Sequence, residues 1–204
     1  MSDSSRQEAI SSPPAEKSTK AKLAIYWAAS CGGCEISILG IHEKILEVDK
    51  AFDIVLFPCG ADGKVRDVEK MADKTIDLCL FNGGIRTSEN EYMARLLRAK
   101  SKVLVAFGSC ASEGCIPGLA NASIRKDIFN TNYHDSASLD NPKGLEPQTT
   151  TQVPEGKLHL PAFYDTLRTL DQTVDVDYYL PGCPPESDRI WEALVAILEG
   201  KLPP

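Results

Sequence analysis

Five short, almost wholly apolar runs punctuate this chain: LAIYWA (23–28), FDIVLFPC (52–59), TIDLCLFNGG (75–84), SKVLVAFGSC (101–110) and VDYYLPGC (176–183). A strand that is apolar at successive positions must be covered on both faces, and a helix-clad parallel sheet provides that cover. Helical patterns fall between the runs. After the first, Ile38, Ile41, Ile45 and Val48 keep helical spacing; after the second, residues 64–73 read as a short helix. After the third, Ser88 and Glu91 form a capping-box pair ahead of a helix reaching about Arg98, with Tyr92/Leu96 and Met93/Leu97 at i, i+4. The last run leads into PPESDRIWEALVAIL, with Pro184 and Pro185 near its start and Ile190, Leu194 and Ile197 on one face. This alternation predicts an α/β domain, an open parallel sheet with helices on both faces.

Two segments break the rhythm. Residues 1–20 are polar, contain two adjacent prolines and show no apolar period, so they read as a disordered tail ahead of a domain spanning 21–204. Residues 117–175 include DSASLDNPKGLEPQTTTQVPEGK and read as a long irregular insertion before the last strand, with one short helix around Phe163–Leu170. Twenty-two Lys and Arg against 29 Asp and Glu leave a net charge of -7, which argues against nucleic acid or an anionic membrane surface as partner. No apolar run approaches the roughly 20 residues that span a bilayer, so no membrane insertion is expected. The N-terminus shows neither an apolar h-region nor a twin-Arg pair, and the expected compartment is the reducing cytoplasm. There, seven cysteines are for metals or redox work rather than for disulfides.

The cysteines fall at telling places. Cys31 and Cys34 follow the first strand as C-x-x-C, Cys110 ends the fourth, and Cys183 ends the fifth inside Pro-Gly-Cys-Pro-Pro. Open α/β sheets bind ligands outside the carboxyl ends of their strands, so three distant segments bring four thiolates to one edge. Four thiolates suit a tetrahedral zinc or an iron–sulfur cluster. One local pair plus two distant single cysteines is poor zinc-ribbon spacing. A thioredoxin-like dithiol leaves Cys110 and Cys183 unexplained. Gly32 and Gly33 permit a tight loop whose N–H groups point at bridging sulfides.

CGGCEISILG, GSCASEGCIPGL, PGCPP and the approach LDQTVDVDYYLPGCPP resemble the small, electron-transferring subunit of [NiFe] hydrogenases over about Lys22 to Pro204. The similarity points to the cytoplasmic methyl-viologen-reducing and F420-type branch, related to the 20 kDa subunit of complex I, where the paired cysteines are adjacent instead of spaced. The resemblance implies a flavodoxin-like fold, in agreement with the βα pattern. It implies that Cys31, Cys34, Cys110 and Cys183 ligate one [4Fe–4S] cluster. With no cysteine after Cys183, further clusters are not expected in this chain. The implied partners are a [NiFe]-type large subunit and a further iron–sulfur or flavin electron-transfer subunit, linked in that branch to heterodisulfide-reductase-like machinery. The implied net reaction is reversible H₂ oxidation by the complex, this chain carrying electrons without a catalytic residue of its own. The alternative is a wiring or structural subunit whose large partner has lost its nickel–iron site. Asn82 stands where many relatives place Glu, and Glu35 where close cytoplasmic relatives often carry His.

The remaining candidates read more plainly. Cys79 falls inside a buried strand as a small core hydrophobe, and Cys59 ends the second strand as a buried thiol or a cluster neighbour. Cys115 resembles an extra cysteine of oxygen-tolerant hydrogenases, but Gly33 occupies the place of its usual companion, so it should lie near the cluster without ligating it. His42, His134 and His159 share no ligand spacing. Gly83–Arg86 reads as cluster-side surface facing the partner, Glu113 as a surface carboxylate. Ile36, Cys59, Gly84, Arg86, Ser112 and Pro184 are expected around the cluster edge. No nucleophile–base pair, Walker loop or G-x-G-x-x-G is present.

Overall fold

A computed structural model describes residues 20–61 and 63–201, and the tail expected over 1–20 lies outside them except for Lys20. The described strands are β1 (Ala21–Trp27), β2 (Phe52–Leu56), β3 (Ile76–Asn82), β4 (Ile85–Thr87), β5 (Ser101–Phe107), β6 (Thr150–Val153), β7 (Gly156–His159), β8 (Phe163–Arg168) and β9 (Tyr178–Leu180). Five of them form one parallel sheet in the order β2-β1-β3-β5-β9. Counting core strands alone, this is the 2-1-3-4-5 order of flavodoxin-like folds, with the topological switch point between β1 and β3.

Both sheet faces are apolar because both are covered. On one face Leu23, Ile25, Leu78, Leu80, Val105 and Phe107 pack against α1 (Gly33–Leu39), α2 (Ile45–Ala51) and α8 (Ser187–Leu198). On the other, Ala24, Tyr26, Cys79, Phe81, Leu104 and Ala106 meet α3 (Val65–Lys70), α4 (Ser88–Lys100) and α5 (Ser109–Glu113). Cys79 is fully buried there, as a core thiol should be, and burial pushes it up to about 12. Among the described residues no helix is long and apolar enough to cross a membrane.

Several local expectations are corrected. The first helical stretch is broken: α1 stops at Leu39, and His42, in the left-handed region at φ 55°, opens a 3₁₀ turn before α2. The capping box of α4 is Thr87 with Asn90, one residue early, because Ser88 is engaged elsewhere. Its backbone N–H donates to Ala162 O and its hydroxyl accepts from Ala162 N–H, both at 2.9 Å. The helix expected around Phe163–Leu170 is instead β8, antiparallel to β4. Phe, Tyr and Thr favour a strand when an edge is offered, and β4 offers one. The insertion is also less irregular than expected. α6 (Cys115–Gly118) leads into it, and it contains α7 (Arg125–Asn130), a π turn over Thr131–Asp135 and the β6–β7 hairpin.

Glu91 fastens the end of this insertion. Its carboxylate accepts from Arg95 Nη2 (2.7 Å), Arg168 Nη2 (2.6 Å) and the Tyr164 hydroxyl (2.9 Å), tying β8 to α4. These donors hold its pKa at about 2, against an ordinary 4.5. A lowered carboxylate pKa contributes stability above the unfolded value that is lost as pH falls through the folded one. Glu91→Gln is therefore expected to lower stability by about 1–2 kcal/mol at neutral pH. The difference from the parent should shrink between about pH 4.5 and 2, as followed by denaturant melts across that range.

Candidate metal centre

The carboxyl edge of the sheet is built from three loops stitched to one another. Ala28 N–H donates to Asn82 O at 2.7 Å, and Ala29 and Gly84 exchange backbone bonds at 3.1 and 3.0 Å, so the exit of β1 is fixed against that of β3. Gly32, at φ 84°, turns the Cys31–Cys34 loop beneath the indole of Trp27, where an added Cβ would come within 2.9 Å of the ring. Gly33 N–H donates to Cys31 Sγ at 3.4 Å. The second and third loops are joined through Gly108 N–H to Leu180 O and Ser109 N–H to Gly182 O, both 2.8 Å. This pairs the approaches to Cys110 and Cys183. Ser37 donates its hydroxyl to Pro185 O, and Ser187 donates to Ser37 O at 3.0 Å, closing the ring between α1 and α8.

Cys31, Cys34, Cys110 and Cys183, with Cys115, lie along this edge within electrostatic reach of one another. Cys34 and Cys110 are buried on the sheet side, while Cys31 and Cys183 are exposed on the solvent side. Burial first, then the charges of Glu35, Cys110, Cys31 and Cys183, push Cys34 up to about 12. Burial and then Cys115, Cys31 and Cys183 push Cys110 up to about 11. Cys183 is raised first by a hydrogen bond with Cys115. Thiols crowded in this way resist ionising as bare groups, and a cationic metal centre reverses that preference. The cradle fits soft sulfur chemistry sterically as well. At Gly108 (φ 82°) a Cβ would overlap Cys34 Sγ, so only glycine leaves room for that sulfur. A single zinc would draw its ligand sulfurs to about 2.3 Å from one point. Among the described residues no three His, Cys, Asp or Glu side chains are grouped closely enough to hold a metal ion as they stand.

Other predicted residues are sorted by the structure. Ile36, Cys59 and Pro184 are exposed and Ser112 is partly exposed, but Gly84 and Arg86 are buried. Gly83–Arg86 is therefore interior, not partner-facing surface, because the pairing of Ile85 with Arg168 covers it. Arg86 stacks on Phe163 at 4.5 Å and donates to Asn121 Oδ1 at 3.3 Å. His134 pairs with Glu146 (2.9 Å) and His159 approaches Thr150 (3.4 Å), both within the insertion. One feature escaped sequence reasoning. Glu35, only 3% exposed, receives Asn82 Nδ2 on both carboxylate oxygens at 2.7 and 2.8 Å. The two departures noted separately at positions 35 and 82 are thus a single contact, and their joint occurrence was the available signal. Burial raises Glu35 above the usual carboxylate range.

A flavodoxin-order sheet with cysteine-bearing loops along its carboxyl edge defines an α/β domain of the kind that binds cofactors there, and comparison with known proteins gives the family. The chain belongs to the family described as NADH ubiquinone oxidoreductase, 20 Kd subunit, matched over residues 31–197. Within it, the chain is 40% identical over 184 residues to an F420-non-reducing hydrogenase iron-sulfur subunit of Archaeoglobus profundus, covering 90% of this chain and 57% of that protein. It is 25% identical to the NAD-reducing hydrogenase HoxS subunit delta of Cupriavidus necator, over 92% of this chain and 83% of that one. The chain thus spans little more than half the length of the archaeal relative. A crystal structure of NAD+-reducing [NiFe]-hydrogenase in the H2-reduced state superposes with a TM-score of 0.77 at 29% identity, over 91% of this chain and 94% of that one. The resemblance to hydrogenase small subunits drawn from the cysteine motifs is borne out.

Proposed function

We propose that this chain is the electron-transfer subunit of a cytoplasmic hydrogenase-type complex, holding one [4Fe–4S] cluster on Cys31, Cys34, Cys110 and Cys183. The observation that supports this reading is that those four cysteines follow the carboxyl ends of β1, β5 and β9, on three loops along one edge of the sheet. The cluster supplies one-electron chemistry that no side chain here provides. The chain's own groups set its surroundings. Gly33 N–H lies on the sulfur of Cys31, the sheet keeps water from Cys34 and Cys110, and Trp27, Ile36, Ile116 and Leu119 present exposed apolar surface. That surface suits a [NiFe]-type large subunit. A further iron–sulfur or flavin subunit, heterodisulfide-reductase-like in kind, takes the electrons onward. The insertion suits its docking, since α7, the π turn and residues 146–149 line an open cavity of about 980 Å³, and the acceptor's own cofactor would reach toward the cluster from there. The family description favours a second reading, a wiring subunit beside a large subunit without nickel and iron.

The test is to assemble the full complex and measure two H₂-driven activities. The intact complex should reduce an artificial dye; a complete complex inactive with H₂ supports the second reading. Replacing residues 136–148 by a Gly/Ser linker should spare dye reduction and cut transfer to the copurifying acceptor subunit severalfold or more. Unchanged transfer would place that acceptor elsewhere.

A further inference from the structure

Asn82 ends β3, the central strand of the sheet, and is fully buried. Its amide meets both flanks of the C-x-x-C loop. Nδ2 donates to the hydroxyl of Ser30, the residue just before Cys31, at 2.8 Å. It also donates to both carboxylate oxygens of Glu35, the residue just after Cys34, at 2.7 and 2.8 Å. An amide nitrogen carries two hydrogens, so one serves the hydroxyl and the carboxylate shares the other. The backbone adds a further tie, Ala28 N–H to Asn82 O at 2.7 Å. Asn82 Oδ1 is buried with no hydrogen-bond partner among the described residues. It lies beside Gly108, where an added Cβ would overlap Cys34 Sγ and stand 3.5 Å from this oxygen. Buried polar atoms without a partner are few and call for a reason. Here the amide is turned so that both of its donors serve the cysteine loop.

We infer that Asn82 is a positioning residue that pre-forms the C-x-x-C half of the metal centre, an inference that rests on the four-ligand reading above. The loop between Cys31 and Cys34 consists of Gly32 and Gly33, the residue type with the most backbone freedom to lose. Left loose, such a loop spreads its two thiols over many separations. Fixing residues 30 and 35 on one buried amide holds both ends of the loop, so the ordering cost falls on folding rather than on loading of the cluster. Groups that hold metal ligands from outside act in this way, and their loss weakens a site without removing a ligand. The contact also has a direction: a carboxylate at position 35 needs a donor at position 82.

The experiment loads the full chain anaerobically with iron and sulfide. It then follows the rate at which a ferrous chelator strips the iron, and the electron paramagnetic resonance line shape of the reduced cluster. Asn82→Asp keeps the size of the side chain and removes both donors, so iron should leave about 10- to 100-fold faster, with an altered line shape. Ser30→Ala, at a partly exposed position, removes one arm alone and should speed the loss about fivefold, the scale of one neutral hydrogen bond. The double variant Glu35→Gln with Asn82→Asp hands the donor to position 35 and the carboxylate to position 82, where the Ser30 hydroxyl can donate to it. It should recover the parent rate and line shape. Unchanged iron loss in Asn82→Asp or in Ser30→Ala overturns the inference. So does a double variant as labile as Asn82→Asp, and so does faster loss with an unaltered line shape, since the amide would then only fill the core. Cys34→Ser separates the two levels: full iron there sinks the four-ligand reading itself, whereas iron lost there beside an unaffected Asn82→Asp sinks the positioning role alone.

Discussion

Replacing any one of Cys31, Cys34, Cys110 or Cys183 by Ser is expected to strip most of the iron and sulfide from the purified chain. Changing a residue that merely hydrogen-bonds to a metal ligand costs a site about 10- to 100-fold in affinity, and loss of a thiolate ligand should exceed that. Thiolate is the soft donor that iron–sulfur clusters select, and serine replaces it with a hard, weakly acidic hydroxyl. The parent should carry one four-iron cluster per chain. Cys79→Ala provides the contrast, because that thiol is buried in the opposite core and touches none of the four. Its cost should appear as stability, about 1 kcal/mol for a small buried group, with iron content intact. Iron content unchanged in any one of the four serine variants would remove that residue from the ligand set.

A second large effect is expected at the apolar rim. Ile36 is 68% exposed on the helix that carries Cys34, and Leu119 is 70% exposed just beyond Cys115. Exposed aliphatic side chains flanking a redox centre mark the surface a permanent partner covers, and such interfaces exceed about 2,000 Å². Ile36→Asp and Leu119→Asp should each weaken assembly with the large subunit by at least about 30-fold, the scale of a buried anchor residue. Leu198→Asp, at the far end of α8, should leave assembly unchanged. Size-exclusion of the co-expressed complex reads the difference. Normal assembly of both rim variants would mean that the partner sits on another face.

The parts of this molecule that were legible in the sequence are those fixed by local pattern. The five core strands announce themselves because both of their faces are buried, so Leu23–Tyr26 and Leu78–Phe81 are continuous apolar runs with no alternation to misread. The placement of the candidate ligands follows from those strands, since the segments that carry them leave the carboxyl ends of β1, β5 and β9. What escaped depends on distant partners. Phe163–Arg168 becomes a strand because Ile85–Thr87 lies alongside it, and the β preference of its Phe, Tyr and Thr decides the matter only once that edge is there. The cap of α4 shifts by one residue because Ser88 is already bonded to Ala162. Glu35 on α1 and Asn82 at the end of β3 meet across 47 residues of sequence, a contact that local periodicity cannot reveal. Arg86 is hidden by the same returning strand that the pattern concealed.

The stitching of the Cys110 loop to the Cys183 loop also has a bearing on the order of assembly. β9 is an edge strand of three residues, paired to β5 through Val105–Tyr178, Ala106–Tyr179 and Phe107–Leu180 alone. It delivers Cys183 only after the other four core strands and the whole insertion have left the ribosome. A cluster spanning Cys31 to Cys183 would therefore be loaded late, once those elements are made, and would act as a cross-link across most of the domain. Closing so long a loop removes much of the freedom of the unfolded chain. Loss of the cluster should accordingly release β9 and α8 first, making that segment the place where proteases sense an unloaded subunit.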